Sequence, residues 1–350
     1  MRKITYFYRR RNPVFFSIEQ AFGQIVSRLG AEFSGEYAVK EVQMPFHSSP
    51  RNVLPNIRYA RRQQGDINHI TGDVHYVLLG FDRSKVNVLT VHDCVLLRRI
   101  SRKDPRWWII KWLWYDWPMR RADAVTAISE NTKSDLLQFT KCPPEKIRVI
   151  PQFIDPAFRP GTSMTFRERP VILFVGATEN KNLPRLAEAM EGIPAELDII
   201  GALNAGQIDC LNRYGIGYRQ CSGIPKEALL QHYHDCDFVA FPSTYEGFGL
   251  PIIEGQAVGK PVLTSAISPM KEIAGDGACL IDPYDTASIR AGLLRIIGEQ
   301  AYREQLVNAG LANAARFSLR NIVVSYARLY AELLDKKKTA STEILIPNVK

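Results

Sequence analysis

The sequence lacks anything long enough to cross a bilayer: no apolar run approaches the roughly 20 residues that a hydrocarbon core requires. Cysteine is scarce and scattered. Cys94, Cys142, Cys210, Cys221, Cys236 and Cys279 share no paired spacing and form no Cys-x-x-Cys unit, so neither a zinc ribbon nor a disulfide framework is indicated. Met1-Arg-Lys3 is basic, but Tyr6-Phe-Tyr-Arg-Arg-Arg11 breaks any apolar signal core. No cleaved export signal is expected, and a reducing cytoplasm is the expected compartment. His47, His69, His75, His232 and His234 are not spaced with acidic partners as metal ligands, and no Asp-x-Asp motif stands in a cleft-like position. Neither a metal nor a cofactor is therefore expected. Helix-turn-helix signatures, zinc fingers and aromatic RNA-binding motifs are missing too, so nucleic acid is not an expected partner.

What is present is the composition of a folded soluble chain, 46% hydrophobic and 23% charged, with length enough for two cores. Its charge is uneven. Residues 1–160 carry 26 Lys plus Arg against 15 Asp plus Glu, a net +11, while the remaining 190 carry 19 against 21, a net −2. A basic first half suits a phosphorylated acceptor or an anionic membrane surface.

Short apolar runs alternate with helical patterns along the chain. Lys3–Tyr8, Glu36–Met44, Ile67–Ile70, Val86–Val91, Ala124–Ile128 and Lys146–Ile150 read as strands, with helices over Ser17–Leu29 (Ser17 a candidate N-cap) and about Glu130–Thr140. Three prolines and a glycine in Pro151–Gly161 mark a boundary. A second series follows: strands at Val171–Val175, Leu197–Ile200, Phe238–Phe241, Val262–Thr264 and Ala278–Ile281. Its helices are Pro184–Met190, Lys226–His234, Thr286–Gln300 and Ala301–Arg316. This is an α/β pattern of parallel sheets covered by helices, given twice.

The richest stretch is Ser243-Thr-Tyr-Glu-Gly-Phe-Gly-Leu-Pro-Ile-Ile-Glu254, directly after the buried-type strand. Pro251 stands where a first helical turn should begin, its missing N–H costing nothing there. The N–H groups at such a helix start favour an anion. Glu246 lies in the loop and Glu254 on the helix, so two carboxylates can flank one site and accept hydrogen bonds from a diol. A phosphate carrying a polyhydroxylated group uses all of these features. A glycosidase acid–base pair is the competing reading. It leaves Lys181, in the loop Val175-Gly-Ala-Thr-Glu-Asn-Lys-Asn182, without a role.

A Glu, seven residues and a second Glu around Gly-Phe-Gly-Leu-Pro resemble the signature of retaining glycosyltransferases of family 4 (glycosyl transferases group 1). Thr90-Val-His-Asp93, Ala122–Glu130 and Val175–Asn182 extend the resemblance over about residues 70–335. It implies a GT-B fold: two Rossmann-like domains facing a cleft, with a C-terminal helix crossing back to the first. Residues 1–160 then form the acceptor-binding domain, 161–318 the nucleotide-sugar domain, 319–335 the crossover helix and 336–350 a tail. The family's roles fall on His92 beside the reacting centre, Lys181 at the diphosphate and Glu246 on the transferred sugar. Gly247, Phe248, Gly249 and Leu250 lie beside the donor, and Glu254 binds its ribose. Asp93 is either the partner or the orienter of His92. The implied reaction moves a sugar from a nucleoside diphosphate sugar to a hydroxyl of a glycan or lipid-linked acceptor, in cell-surface polysaccharide synthesis.

Two departures leave room for a binding protein with a decayed site. Ala177 stands near where many members carry an Arg, leaving a lysine-only clamp or a replacement base from elsewhere. Phe15-Phe-Ser-Ile-Glu19 takes the place of the family's glycine-rich first loop. Between Arg98-Arg-Ile-Ser-Arg-Lys103 and Arg120-Arg121 lie Trp107, Trp108, Trp112, Trp114 and Trp117. Asp104 and Pro105 read as N-cap and first helical residue. The segment is either a buried aromatic helix or an anchor at the inner face of the cytoplasmic membrane.

Overall fold

A computed structural model describes residues 1–10, 17–161 and 166–344. Arg11–Phe16, the side chain of Ser17 and residues 345–350 lie outside the described residues. So do the expectations for the first loop, the Ser17 cap and the end of the tail. The chain divides into two compact units, Met1–Gln152 with Leu319–Lys350, and Phe153–Ser318. Each is built on a six-stranded sheet.

In the first unit the strands are β1 (Arg2–Tyr8), β2 (Tyr37–Gln43), β3 (Ile67–Ile70), β4 (Val86–Val91), β5 (Ala124–Ala127) and β6 (Ile147–Val149). They pair in the order β2-β1-β3-β4-β5-β6, parallel throughout. Every residue of β3, β4 and β5 is buried, as parallel strands covered on both faces require.

The C-terminal helix, Leu319–Ile344, runs well past the expected end at 335. It carries Tyr326 and Tyr330 into the core of the first unit. Tyr330 Oη lies 2.9 Å from Tyr6 Oη and 2.6 Å from His69 Nδ1; the other ring nitrogen of His69 meets Thr90 Oγ1 at 2.7 Å, and Thr90 meets Thr126 at 2.6 Å. Burial pushes the His69 imidazole down to about 3, so it is a neutral structural element. Buried polar groups that are all paired specify one docking of the helix.

The tryptophan-rich stretch is one helical segment in three parts: α-helix over Pro105–Ile110, π-helix over Lys111–Asp116 and α-helix over Trp117–Arg121. Asp104 caps it, accepting from Arg106 N–H, and Pro105 follows. Pro118 explains the wide turn. A proline has no N–H for the carbonyl four residues back, and its ring crowds that carbonyl. Here that carbonyl is Trp114 O, and it faces His75 Nδ1 at 2.7 Å. Trp117 N–H bonds Trp112 O, five residues back. The side chains of the segment divide between core and solvent. Trp107 and Tyr115 are buried and Trp114 packs on the core, while Trp108, Ile109, Trp112 and Trp117 are exposed, with the rings of Trp112 and Trp117 4.4 Å apart.

The second unit contains β7 (Val171–Val175), β8 (Glu196–Ile200), β9 (Gly217–Cys221), β10 (Phe238–Phe241), β11 (Val262–Ser265) and β12 (Cys279–Ile281). Their order is β12-β11-β10-β7-β8-β9, again parallel. The strand β9 was not expected from the sequence. It is an edge strand with one neighbour, and its residues Gly217-Tyr-Arg-Gln-Cys221 are nowhere fully buried. The unit closes where Ile154 N–H bonds Phe317 O at 2.8 Å.

Candidate active site

In the second unit the loops that follow β7 and β10 hold the candidate donor residues. After β7 the chain turns at Gly176, whose φ of +100° suits glycine. A Cβ there would come within 2.6 Å of Lys181 Cε, so the missing side chain is what leaves room for the lysine stem. A 3₁₀ turn, Glu179–Lys181, then presents the ammonium. Lys181 Nζ lies 2.7 Å from Glu246 Oε1, with 17% and 14% of the two side chains exposed, and 4.5 Å above the Phe241 ring. Lys181 and Glu246, seen in the sequence as separate motifs, form one ion pair.

The helix Leu250–Ala257 starts at Gly249, whose φ of +113° again suits glycine, and has Pro251 in its first turn. Phe248 is buried edge-on against Phe317 at 5.8 Å, so it anchors the loop; Leu250 remains exposed. Glu254 stands one turn further on. Part of the residue reaches solvent, yet its carboxyl is enclosed enough that burial pushes its pKa up to about 7. Tyr233 Oη donates to its Oε2 at 2.6 Å and works in the opposite direction, favouring the charged form.

Two contributors were not foreseen. Tyr233, on the helix Lys226–Asp235, is the phenol that holds Glu254. Asn180 bridges the two loops through its side chain and backbone. No contiguous motif contains both members of either pair, and a Tyr in a helix otherwise reads as core.

In the first unit His92 stands at the carboxyl end of β4. Its Nε2 lies 2.8 Å from Thr71 O. A carbonyl only accepts, so Nε2 carries the proton and Nδ1, 3.4 Å from Gln152 Nε2, has the lone pair. Burial lowers its pKa, keeping it neutral near pH 7. Asp93 is not its hydrogen-bond partner: its Oδ1 accepts from Val95 N–H, leaving only a charge effect on the imidazole. Among the described residues no three His, Cys, Asp or Glu side chains form a metal-holding group.

Two sheets of parallel strands covered by helices, a long C-terminal helix docked on the first unit and a Lys–Glu pair at strand ends of the second define a two-domain GT-B protein. Solved structures share the fold: sucrose-phosphate synthase from Thermosynechococcus elongatus (TM-score 0.74, 19% identity, 96% of this chain and 100% of that one) and Anabaena HepE in complex with UDP and glucose (0.71, 16%, 95% and 100%). Family models match both halves, Glycosyltransferase Family 4 over residues 24–158 and Glycosyl transferases group 1 over residues 163–312. The chain belongs to the family-4 glycosyltransferases of group 1. Among curated proteins it is similar to O-antigen chain mannosyltransferase B of Escherichia coli, at 31% identity over 171 residues, 45% of each chain. It also resembles D-inositol 3-phosphate glycosyltransferase of Acidothermus cellulolyticus, at 26% over 257 residues, 65% of this chain and 57% of that one. It thus spans about half the length of these relatives.

Proposed function

We propose that the protein is a retaining glycosyltransferase. It moves a sugar from a nucleoside diphosphate sugar to a hydroxyl of a glycan or lipid-linked acceptor, in the synthesis of a surface polysaccharide. The Lys181–Glu246 contact carries this reading. A mostly enclosed ammonium and carboxylate at strand ends offer the two chemistries such a donor needs, a cation for the diphosphate and an acceptor for sugar hydroxyls. The name of one relative, O-antigen chain mannosyltransferase B, supports the polysaccharide context.

In this reading Lys181 moves from Glu246 to the diphosphate, where negative charge grows as the sugar–phosphate bond breaks. It therefore stabilises the transition state more than the ground state. Glu246 is released to the transferred sugar, and Glu254 accepts from the ribose hydroxyls. The acceptor is held on the leaving-group side and the departing phosphate helps take its proton, so the anomeric configuration is kept. Gly247, Phe248, Gly249 and Leu250 line the donor. His92 is assigned to the reacting centre on the family resemblance, and its neutral ring with the lone pair on Nδ1 suits a hydroxyl donor.

We further propose peripheral attachment at the inner face of the cytoplasmic membrane. Exposed Trp108, Ile109, Trp112 and Trp117, with exposed Arg102, Lys103, Arg106 and Arg120 on the same segment, fit an anionic lipid surface.

Incubating the purified protein with uridine, guanosine, adenosine and thymidine diphosphate sugars tests the reaction. Nucleoside diphosphate release, with a product of retained configuration, is the expected result. Tight binding with neither transfer nor slow donor hydrolysis would point to a binding protein, the reading that Ala177 favours; an inverted product would refute the front-face route.

A further inference from the structure

We propose that Asn180 is the positioning residue for Glu246: its side-chain amide holds that carboxylate in place for the transferred sugar once Lys181 has turned to the diphosphate. The proposal rests on the reading of the donor site given above. Glu246 Oε1 accepts from Lys181 Nζ at 2.7 Å and from Asn180 Nδ2 at 3.1 Å. Of these two donors only the ammonium carries the charge that a diphosphate attracts, so the amide keeps its bond when the lysine turns away.

The geometry of Asn180 suits a fixed holder. Its Nδ2 also donates to Tyr245 O at 2.9 Å, and a carbonyl can only accept, which settles which end of the amide faces Glu246. Its Oδ1 accepts from Thr178 Oγ1 at 2.7 Å, and turning the amide over would lose both bonds of Nδ2, to Glu246 Oε1 and to Tyr245 O, which an amide oxygen cannot make. The backbone adds a further tie, Thr244 N–H to Asn180 O at 2.8 Å. One residue therefore stitches the loop after β7 to the loop after β10 and aims the carboxylate. A lysine on a flexible stem cannot do this, while a planar amide held at both ends can. Ala177 has no group for the task, which leaves the loop to act through Asn180 and Lys181.

The test is a double-mutant cycle with Asn180→Ala, Glu246→Ala and both together. Calorimetry with the four nucleoside diphosphate sugars and with the matching nucleoside diphosphates is combined with kcat/KM for donor turnover. Asn180→Ala is expected to weaken nucleotide-sugar binding and lower kcat/KM by about tenfold, the worth of a hydrogen bond to a charged group, while nucleoside diphosphate affinity changes less than about twofold. In the Glu246→Ala background the same substitution should cost less than about twofold. Thr178→Val keeps the amide but frees it to turn, and should give about threefold.

Independent, multiplying effects would overturn the assignment. So would a parallel loss of nucleoside diphosphate affinity, since a general loosening of the loops predicts that. If wild type binds none of the four donors, the donor reading itself fails and the assignment with it. If the donors bind but the cycle shows no coupling, only the role of Asn180 fails.

Discussion

Where β7 and β10 end in the second unit, Lys181 and Glu246 face each other at 2.7 Å. Where β4 ends in the first unit, His92 is pinned by the Thr71 carbonyl at 2.8 Å and kept neutral by burial. The two sheets have the same number of parallel strands, yet one has an ion pair beyond its strand ends and the other a neutral imidazole. The surfaces differ as well. The first unit displays a cluster of exposed tryptophans and carries the basic excess of the sequence. The comparison teaches that the same backbone plan is specialised through a few residues at strand ends, so a test of function should strike those residues and leave the sheets alone.

The largest effect belongs to the charge pair. Lys181→Ala should lower turnover by about 10²–10³-fold, as expected for losing a group that stabilises developing charge. Thermal unfolding must accompany the kinetics, because Glu246 is then left partly enclosed without its cation. Unchanged turnover in a folded variant would remove the contrast between the two sheets. Next comes His92→Ala, expected to cost about 10–100-fold in kcat, the worth of a hydrogen bond to developing charge. His92→Asn should recover part of this if orientation and hydrogen bonding matter more than basicity.

A third effect tests the aromatic surface. Replacing Trp108, Trp112 and Trp117 together by Ala should reduce sedimentation with anionic vesicles by about tenfold or more, since three large exposed rings are removed from the interface. Wild-type attachment should weaken with salt only in part, because screening reaches the arginines and lysines but not inserted rings. Wild-type protein left in the supernatant at every salt concentration would overturn the membrane reading. Trp107→Ala, by contrast, removes a buried ring and should show itself in the melting temperature.

How much of this was legible depended on how local each signal was. The strands of both sheets could be read because apolar runs and helix patterns alternate within short windows, and the Glu246–Glu254 segment because its chemistry is contiguous. Residues of the site that act at long range were not: Asn180 meets Glu246 and Tyr233 meets Glu254 only after folding. The faces of the tryptophan segment were unreadable for another reason. A regular α-helix turns Trp117 away from Trp112, five residues back, whereas the π turn at Lys111–Asp116 brings the two rings to 4.4 Å on one exposed face. The C-terminal helix was cut short because its apolar spacing fades after Leu334. It persists through charged residues such as Lys336, paired one turn apart with Glu332 at 2.6 Å.

The smallest effect concerns the second carboxylate, Glu254, and separates it from Glu246 by pH. Free protein holds the Glu254 carboxyl at about 7, because burial disfavours its charge. In the proposed function a ribose diol donates to the ionised form, so donor binding favours loss of the proton. Affinity should therefore rise with pH, by up to about tenfold between about pH 6 and pH 8, and level off above the free-protein pKa. The nucleotide sugar is the right probe, since its diphosphate is esterified at both ends and does not titrate in this range. Tyr233 lowers the Glu254 pKa by donating to it, so Tyr233→Phe should move the midpoint to higher pH without abolishing binding. Calorimetry across the range decides it. A flat profile would mean that Glu254 binds the donor without releasing a proton, while a midpoint unmoved by Tyr233→Phe would assign the titration to another group.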